Sequence, residues 1–302
     1  MRFNHLDTRK IGLIAALVLV LAVIVIASNK GLDFGGHPAL FPVKVNNRYG
    51  YINRSGKLVI QPQFEQAGRF ADGLAPVAMG NKWGYIDKSG KLAITPQFDM
   101  ADPFAEDRAL VGLGNRLGYV DDKGRFVINP QFEGAGDFEN DRAPVLVANR
   151  WGYIDRTGKM VIAPQFDEAG NFSDGLALIR LGARYGYIDR EGKIVINPQF
   201  EGAGQFSDGL AVIRMGSKFG YIDRHGKIQI NPQFDQAGDF SDGVALVGLN
   251  RKYGYIGRDG KFRINPQFDD GGDFAGGIAP VWVGERQGYI DRSGKFIWNP
   301  TA

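Results

Sequence analysis

The tripeptide Gly-Tyr-Ile recurs along this chain at a fixed interval, and this repeat constrains the fold more than any other feature. Consecutive copies are 34 residues apart and begin at Gly50, Gly84, Gly118, Gly152, Gly186, Gly220, Gly254 and Gly288. Only Val120 replaces the isoleucine. A repeat of this length indicates an array of similar units, each of which contacts mainly its neighbours. We therefore expect a single repeat domain over residues 40–302.

Each copy has the pattern of three short strands joined by tight turns. In the copy that starts at Leu74, extended runs at 74–78, 83–87 and 91–94 are separated by Gly80-Asn81 and by a turn ending at Gly90. Such runs between turn signals predict an antiparallel meander. The first strand must lie at a sheet edge or a ladder end, because four copies place a proline in it: Pro42, Pro76, Pro144 and Pro280.

A segment with a repeated proline follows the third strand. In the same copy it is Pro96-Gln97-Phe98-Asp99, and Phe104 follows six residues after Phe98. One meander is too small to be stable alone, so we interpret this segment as a connector whose phenylalanines and alanine fill the gap between adjacent units. Each buried ring would contribute about 1.5–3 kcal/mol.

These patterns predict an all-β fold of eight three-stranded antiparallel units of about 34 residues. We expect the units to stack as a curved β-solenoid. A propeller-like ring is the alternative, because eight is a plausible number of blades. The short period, and the lack of a blade divided between the two ends of the chain, favour the solenoid.

An uncharged apolar segment at residues 11–28 precedes the repeats. As a helix it would be about 26 Å long, close to the thickness of a membrane. We therefore expect a cytoplasmic N terminus (1–10), a transmembrane helix or signal anchor (11–28) and a tether (29–39). The basic residues before the apolar segment predict that the repeats lie on the periplasmic or extracellular side of the inner membrane. The alternative is a signal peptide cleaved near Ala27, which would release a secreted protein.

Composition and motifs argue against several functional classes. Cysteine is absent, and residues 40–302 carry 32 basic and 31 acidic residues, since 1–39 hold four of the 36 and two of the 33. This balance predicts no nucleic-acid partner. His225 lies in an Asp-x-x-Gly turn, where an exposed position is expected. Acidic residues such as Asp87 and Asp174 recur at turns, which favours capping of backbone N–H groups over calcium binding or glycosidase chemistry. We expect no enzyme activity, no metal and no cofactor.

The repeated motifs aromatic-Gly-Tyr-Ile-Asp, Pro-Gln-Phe-Asp and Phe-Ser-Asp-Gly-Leu-Ala resemble the bacterial WG repeat, also called the KWG repeat. The Trp-Gly pair is literal at Trp83-Gly84 and Trp151-Gly152. The aromatic residue is lost at Leu117 and Gln287. The resemblance covers residues 40–302 and implies a β-rich, non-catalytic module of bacterial envelope or multidomain proteins, with no catalytic residues to transfer.

Binding residues are best sought where the copies differ, and the first hairpin varies most. Arg180 and Arg214 occupy equivalent positions in neighbouring copies and predict a small basic stripe, with Trp282 further along. Trp83 and Trp151 are candidates for stacking on sugars or peptides, although such rings more often pack on their own sheet. The leading hypothesis is a membrane-anchored envelope scaffold for a protein partner. The alternative is a module that binds peptidoglycan or another glycan.

Overall fold

The computed structural model describes residues 40–53, 57–274 and 276–298, which form eight antiparallel sheets in chain order. Sheet 1 contains β1 (Leu40–Val45), β2 (Arg48–Asn53) and β3 (Leu58–Phe64). Sheet 2 contains β4 (Gln66–Ala67), β5 (Leu74–Met79), β6 (Lys82–Asp87) and β7 (Leu92–Phe98). Sheet 3 contains β8 (Met100–Ala101), β9 (Ala109–Leu113), β10 (Arg116–Val120) and β11 (Phe126–Phe132). Sheet 4 contains β12 (Gly134–Ala135), β13 (Ala143–Val147), β14 (Arg150–Ile154) and β15 (Met160–Phe166).

The second half of the array repeats this order. Sheet 5 contains β16 (Glu168–Ser173), β17 (Leu176–Leu181), β18 (Arg184–Ile188) and β19 (Ile194–Phe200). Sheet 6 contains β20 (Gly202–Ala203), β21 (Leu210–Met215), β22 (Lys218–Asp223) and β23 (Ile228–Phe234). Sheet 7 contains β24 (Gln236–Ser241), β25 (Val244–Leu249), β26 (Lys252–Gly257) and β27 (Phe262–Phe268). Sheet 8 contains β28 (Asp270–Gly271), β29 (Ile278–Val283), β30 (Arg286–Asp291) and β31 (Phe296–Trp298).

Seven sheets have four strands, so the prediction of three-stranded units was wrong for all but sheet 1. The fourth strand comes from the connector. In sheet 2, β4 pairs with β5 through Gln66 and Ala78 and through Ala67 and Val77. This strand has only two residues in five of the sheets, which is too short to show an alternating pattern in sequence.

The proline of the first strand lies at a ladder end, as predicted. Strand β5 is internal to sheet 2, but its pairing with β4 ends at Ala67 and Val77, next to Pro76. The Gly68 N–H still donates to the carbonyl oxygen of Pro76, at 2.8 Å. The proline therefore accepts a hydrogen bond without having to donate one.

The repeated glycine and the second repeated proline meet in a bulge. Strands β6 and β7 are shifted in register around Gly84, so β7 carries extra residues there. A Cβ atom on Gly84 would lie 2.4 Å from the carbonyl oxygen of Ile94 and 2.7 Å from the nitrogen of Pro96. Only glycine leaves room for this backbone, and proline suits a bulge because it has no N–H to place in a ladder.

The hydrophobic core lies between consecutive sheets, in seven clusters that together cover the seven interfaces. Between sheets 2 and 3, Tyr85 and Phe98 face Val111, and Ala101 and Phe104 of the connector fill the space beside them. The predicted packing of both phenylalanines and the alanine between sheets is thus confirmed, but Phe98 is the last residue of β7 and lies outside the connector.

A buried tyrosine attaches each connector to the preceding sheet. The Tyr85 hydroxyl donates to the carbonyl oxygen of Asp102 at 2.8 Å, and its ring meets Phe104 edge-on with centroids 5.0 Å apart. Burial, with a smaller contribution from nearby carboxylates, raises the pKa of this phenol. The same hydrogen bond joins Tyr51 to Gly68, Tyr119 to Gly136, Tyr153 to Gly170, Tyr187 to Gly204, Tyr221 to Gly238 and Tyr255 to Gly272.

Extensive contacts between strands of different sheets all join consecutive sheets in the described part of the chain. Ile52 of sheet 1 is half-buried, whereas its counterparts in the other seven sheets are fully buried. Residues 11–28, the predicted membrane segment, lie outside the described residues. Among the residues that are described, no helix is long and apolar enough to cross a membrane.

Candidate binding surface

In each sheet a two-residue hairpin turn joins the first two strands of the predicted meander, such as β5 and β6, and we call the side of the array formed by these eight turns the hairpin end. Three of the turns have positive φ at both residues, and five have it only at a leading glycine. The first group contains Asn46-Asn47, Ala148-Asn149 and Asn250-Arg251. Arg251, with φ of 62°, occupies a backbone conformation that favours glycine or asparagine.

An ion pair braces most of the hairpins. In sheet 2, Lys82 Nζ lies 2.6 Å from Asp99 Oδ1, and the N–H of Gly114 in the next hairpin donates to Asp99 Oδ2 at 2.7 Å. The interaction with Lys82, and to a smaller extent the hydrogen bond from Gly114, lowers the pKa of Asp99. The acidic residue of Pro-Gln-Phe-Asp therefore links consecutive hairpins. Equivalent pairs are Arg48–Glu65, Arg116–Glu133, Arg150–Asp167, Arg184–Glu201, Lys218–Asp235 and Lys252–Asp269.

An apolar residue stands directly before every hairpin turn. We call this set the tip column: Val45, Met79, Leu113, Val147, Leu181, Met215, Leu249 and Val283. Six members are between 36% and 48% exposed, and Leu181 and Leu249 are half-buried. Each pairs across its hairpin with the residue that opens the next strand, as Met79 does with Lys82. The sequence alone did not reveal that this column faces solvent.

The predicted residues Arg180 and Arg214 share one register position, but neither guanidinium is free. Arg180 Nη2 lies 2.7 Å from a carboxylate oxygen of Glu168, which also accepts from the Tyr185 hydroxyl at 2.9 Å. The Arg214 guanidinium donates to the carbonyl oxygens of Gly216 and Glu201, at 3.3 and 3.1 Å. The structure thus places Arg180 and Arg214 in contacts within their own sheets.

The three predicted tryptophans are half-buried. Trp83 packs against the core between sheets 2 and 3, and Trp151 against the core between sheets 4 and 5. A Cβ atom on Gly134 would lie 3.2 Å from Cη2 of Trp151, so the indole extends across its own sheet. Trp282 pairs with Asp270 on one side and Gln287 on the other. Trp83 and Trp151 therefore contribute to packing and keep only part of their surface exposed.

A depression lies in sheet 7, the sheet between those that carry Arg214 and Trp282. Where these neighbours have a long side chain, sheet 7 has Gly248. The depression is lined by Asp235, Gln236, Gly248, Arg251, Tyr253 and Asp269. These residues were not among the predicted site residues. Two features of the sequence could have indicated this site. Gly248 stands at a position that varies between the copies, and Arg251 stands at a turn position that is Asn149 in sheet 4.

A family model described as "WG containing repeat" matches most of the chain. The matched stretches are 49–83, 83–116, 118–151, 151–184, 185–219, 219–253 and 253–284. The chain belongs to the WG-repeat family. No curated protein matches the sequence.

The WG-repeat chain shares its fold with propeller-like structures. A crystal structure of a eukaryotic initiation factor is 12% identical, with a TM-score of 0.61 over 88% of this chain and 85% of that one. Dihydro-heme d1 dehydrogenase NirN in complex with DHE is 13% identical, with a TM-score of 0.54 over 87% of this chain and 74% of that one. At these identities the likeness concerns the fold alone.

The recurring aspartates of the WG repeats cap backbone groups. Asp87 Oδ1 accepts from the N–H groups of Ser89 and Lys91, at 2.9 and 3.1 Å. Asp174 of a Ser-Asp-Gly turn instead caps the next sheet, by accepting from the N–H of Gly209 at 2.8 Å. Over residues 40–53, 57–274 and 276–298, no group of three or more metal-ligating side chains is close enough to hold an ion.

Carboxylates in the connectors have shifted pKa values. Burial raises the pKa of Asp102 to about 6, and nearby Asp137 adds to the shift. Burial also raises the pKa of Asp137, against the opposing charge of Arg69. Arg69 belongs to sheet 2 and Asp137 to sheet 4, so the charge of one connector acts on a carboxylate two sheets away.

Proposed function

We propose that this WG-repeat chain is a non-enzymatic scaffold that binds a protein partner through its tip column. The supporting observation is that a solvent-facing position is apolar in all eight sheets. Exposed apolar surface that recurs on one side of a protein marks interaction sites, and six of the eight tip residues are exposed. The ion pairs beside the column neutralise its rim, which suits a partner that buries apolar area.

A second exposed apolar column gives a natural comparison. This outer-edge column, at the bulge of the outermost strands, contains Val59, Val127, Val161 and Val195, between 36% and 44% exposed. Its equivalent positions in sheets 6 and 7 are Gln229 and Arg263. The outer column is therefore interrupted by polar residues, whereas the tip column is apolar throughout.

We also propose an open, curved array rather than a closed ring. The incomplete burial of Ile52 supports this arrangement, because its seven counterparts are each covered by a preceding sheet. This arrangement is also supported by the contacts between sheets, because in the described part of the chain the extensive ones join only consecutive sheets. An open array presents an extended surface of the kind that repeat proteins use for binding.

We propose that residues 11–28 anchor the chain in the inner membrane, with the repeats on the periplasmic or extracellular side. The supporting features are the uncharged apolar run and the basic residues Arg2, Arg9 and Lys10 before it. Export after cleavage near Ala27 is the alternative. Recovery of the full-length chain from membranes resistant to alkaline extraction would favour the anchor.

The scaffold proposal is tested with two matched variants of the full chain. One replaces Met79, Leu113, Val147 and Met215 by glutamine, and the other makes the same change in the outer-edge column. Both sets are exposed, so both variants should fold. After cross-linking in native membranes, we expect the tip variant to lose a discrete partner that the wild type and the outer-edge variant retain. Retention by the tip variant, or no partner on the wild type, would contradict the proposal.

A further inference from the structure

We propose that the depression in sheet 7 binds a sugar residue of a glycan. The proposal does not rest on the tip column or on a protein partner. It starts from the contrast between sheets 5 and 7 at equivalent positions. In sheet 5, the polar groups of Glu168, Arg180 and Tyr185 bond to one another.

In sheet 7, Gln236 and Tyr253 take the places of Glu168 and Tyr185, and Arg251 lies in the adjacent hairpin turn. Within the described part of the chain, the side chains of Gln236, Arg251 and Tyr253 form no hydrogen bond or ion pair. Gly248 stands where sheet 5 has Arg180, so no side chain from the middle of the sheet covers Tyr253. The result is a depression with an amide, a guanidinium and a phenol available together.

The backbone of Arg251 adds an independent observation. This residue adopts φ of 62° in a turn whose equivalent in sheet 4 places Asn149 at φ of 63°. Asparagine tolerates this conformation far better than arginine. Strained residues cluster at binding sites, and here the strain places a guanidinium beside the depression.

The chemistry of the lining favours a sugar over other ligands. Asp235 and Asp269 border the depression and are each paired with a lysine, Lys218 and Lys252. Because each carboxylate is neutralised by its lysine, the lining with Arg251 suits neutral sugars and weakly acidic sugars alike. The carboxylates can accept hydrogen bonds, the guanidinium can donate them and the amide can do both. Sugar hydroxyl groups both donate and accept hydrogen bonds, so they match this lining. The Tyr253 ring supplies the apolar surface on which a pyranose ring can lie.

The test measures binding of three defined tetrasaccharides to the full chain in a sugar-free detergent. The probes are chitotetraose, cellotetraose and tetragalacturonic acid, and the readouts are saturation-transfer NMR and calorimetry. We expect saturable binding of at least one probe, with Arg251→Asn weakening it by about tenfold or more through the lost charged hydrogen bonds. Tyr253→Phe, which keeps the ring as Phe219 does in sheet 6, should weaken it less.

Two controls keep the test specific. Arg214→Asn removes an arginine from the same end of the array, and Tyr185→Phe removes the equivalent hydroxyl in sheet 5; neither should change affinity by more than about twofold. Arg251→Asn should also unfold no more easily than the wild type, because asparagine suits the turn. No saturable binding of any probe, or equal loss with Arg214→Asn, would overturn the proposal. A protein partner that requires Arg251 while no sugar binds would reassign the depression.

Discussion

Replacement of one repeated glycine by alanine should strongly destabilise the sheet that contains it. A Cβ atom on Gly220 would lie 2.5 Å from the carbonyl oxygen of Ile230 and 2.6 Å from the nitrogen of Pro232, where real Cβ contacts stay above 3.0 Å. The bulged strand must therefore move by about 0.5 Å, and the obstacle is backbone. Overpacking of this kind costs up to about 3 kcal/mol. The lower entropy of the unfolded alanine chain offsets about 1 kcal/mol, so Gly220→Ala should lose about 2 kcal/mol.

The matched control is Gly238→Ala in the neighbouring sheet. The closest atom to its Cβ position is Asp273 Oδ1, at 3.7 Å, which is ordinary contact. We expect this variant to be at least as stable as the wild type, with a gain of up to about 1 kcal/mol from the lower entropy of its unfolded chain. Because repeat arrays can unfold in segments, urea unfolding should be combined with hydrogen exchange at amides of β22 and β23. Equal destabilisation by the two variants, or none by Gly220→Ala, would refute the role of the bulge.

Three further predictions follow from the interfaces between sheets. Asp102 has a folded pKa of about 6, above its ordinary value near 4, so its contribution to stability is full below about pH 4 and is lost as the pH rises through 6. Because burial also raises the pKa of Asp239 to about 6, urea titrations should show a smaller loss in Asp102→Asn than in the wild type, and an equal loss would contradict the role of Asp102. The Glu106 carboxylate accepts hydrogen bonds from the N–H groups of Asn140 and Asp141 at 2.6 and 2.9 Å. Glu106→Ala should therefore lower the free energy of unfolding by about 1 kcal/mol and speed hydrogen exchange at both amides. Unchanged exchange at these amides would contradict the capping role of Glu106. Deletion of 270–302 should leave the ellipticity of the other seven sheets intact in an open array, and collapse of the whole domain would contradict that arrangement.

The periodic features of the sequence predicted much of the fold. Tyr85 and Ile86 are neighbours in β6, so their side chains lie on opposite faces of the sheet. Both side chains are buried because another sheet packs on each face. Ala101 and Phe104 marked the connector correctly, whereas Pro96 and Phe98 belong to β7, which is longer than the predicted third strand because it continues past the bulge. The fourth strand was missed because Gln66 and Ala67 pair only through backbone groups, which leave no trace in side-chain pattern.

The binding surface was less predictable. Arg180 and Arg214 suggested a basic stripe, but Glu168 and the backbone carbonyls of Gly216 and Glu201 engage them. Glu168 belongs to β16, a strand that the sequence did not reveal, and backbone acceptors leave no trace in the sequence. Gly248 is one of 43 glycines, so its effect on the surface depends on the side chains around it. The exposure of the tip column likewise depends on how the hairpins project from the array.

Site-specific photocross-linking in native membranes tests the scaffold most directly. A benzoylphenylalanine would replace Met79 or Met215 in the tip column, and Val161 or Val195 in the outer-edge column, one position at a time in the full chain. The account predicts one discrete protein adduct at Met79 and Met215 and none at the two valines. Adducts at the valines alone, or none at either methionine position, would contradict it.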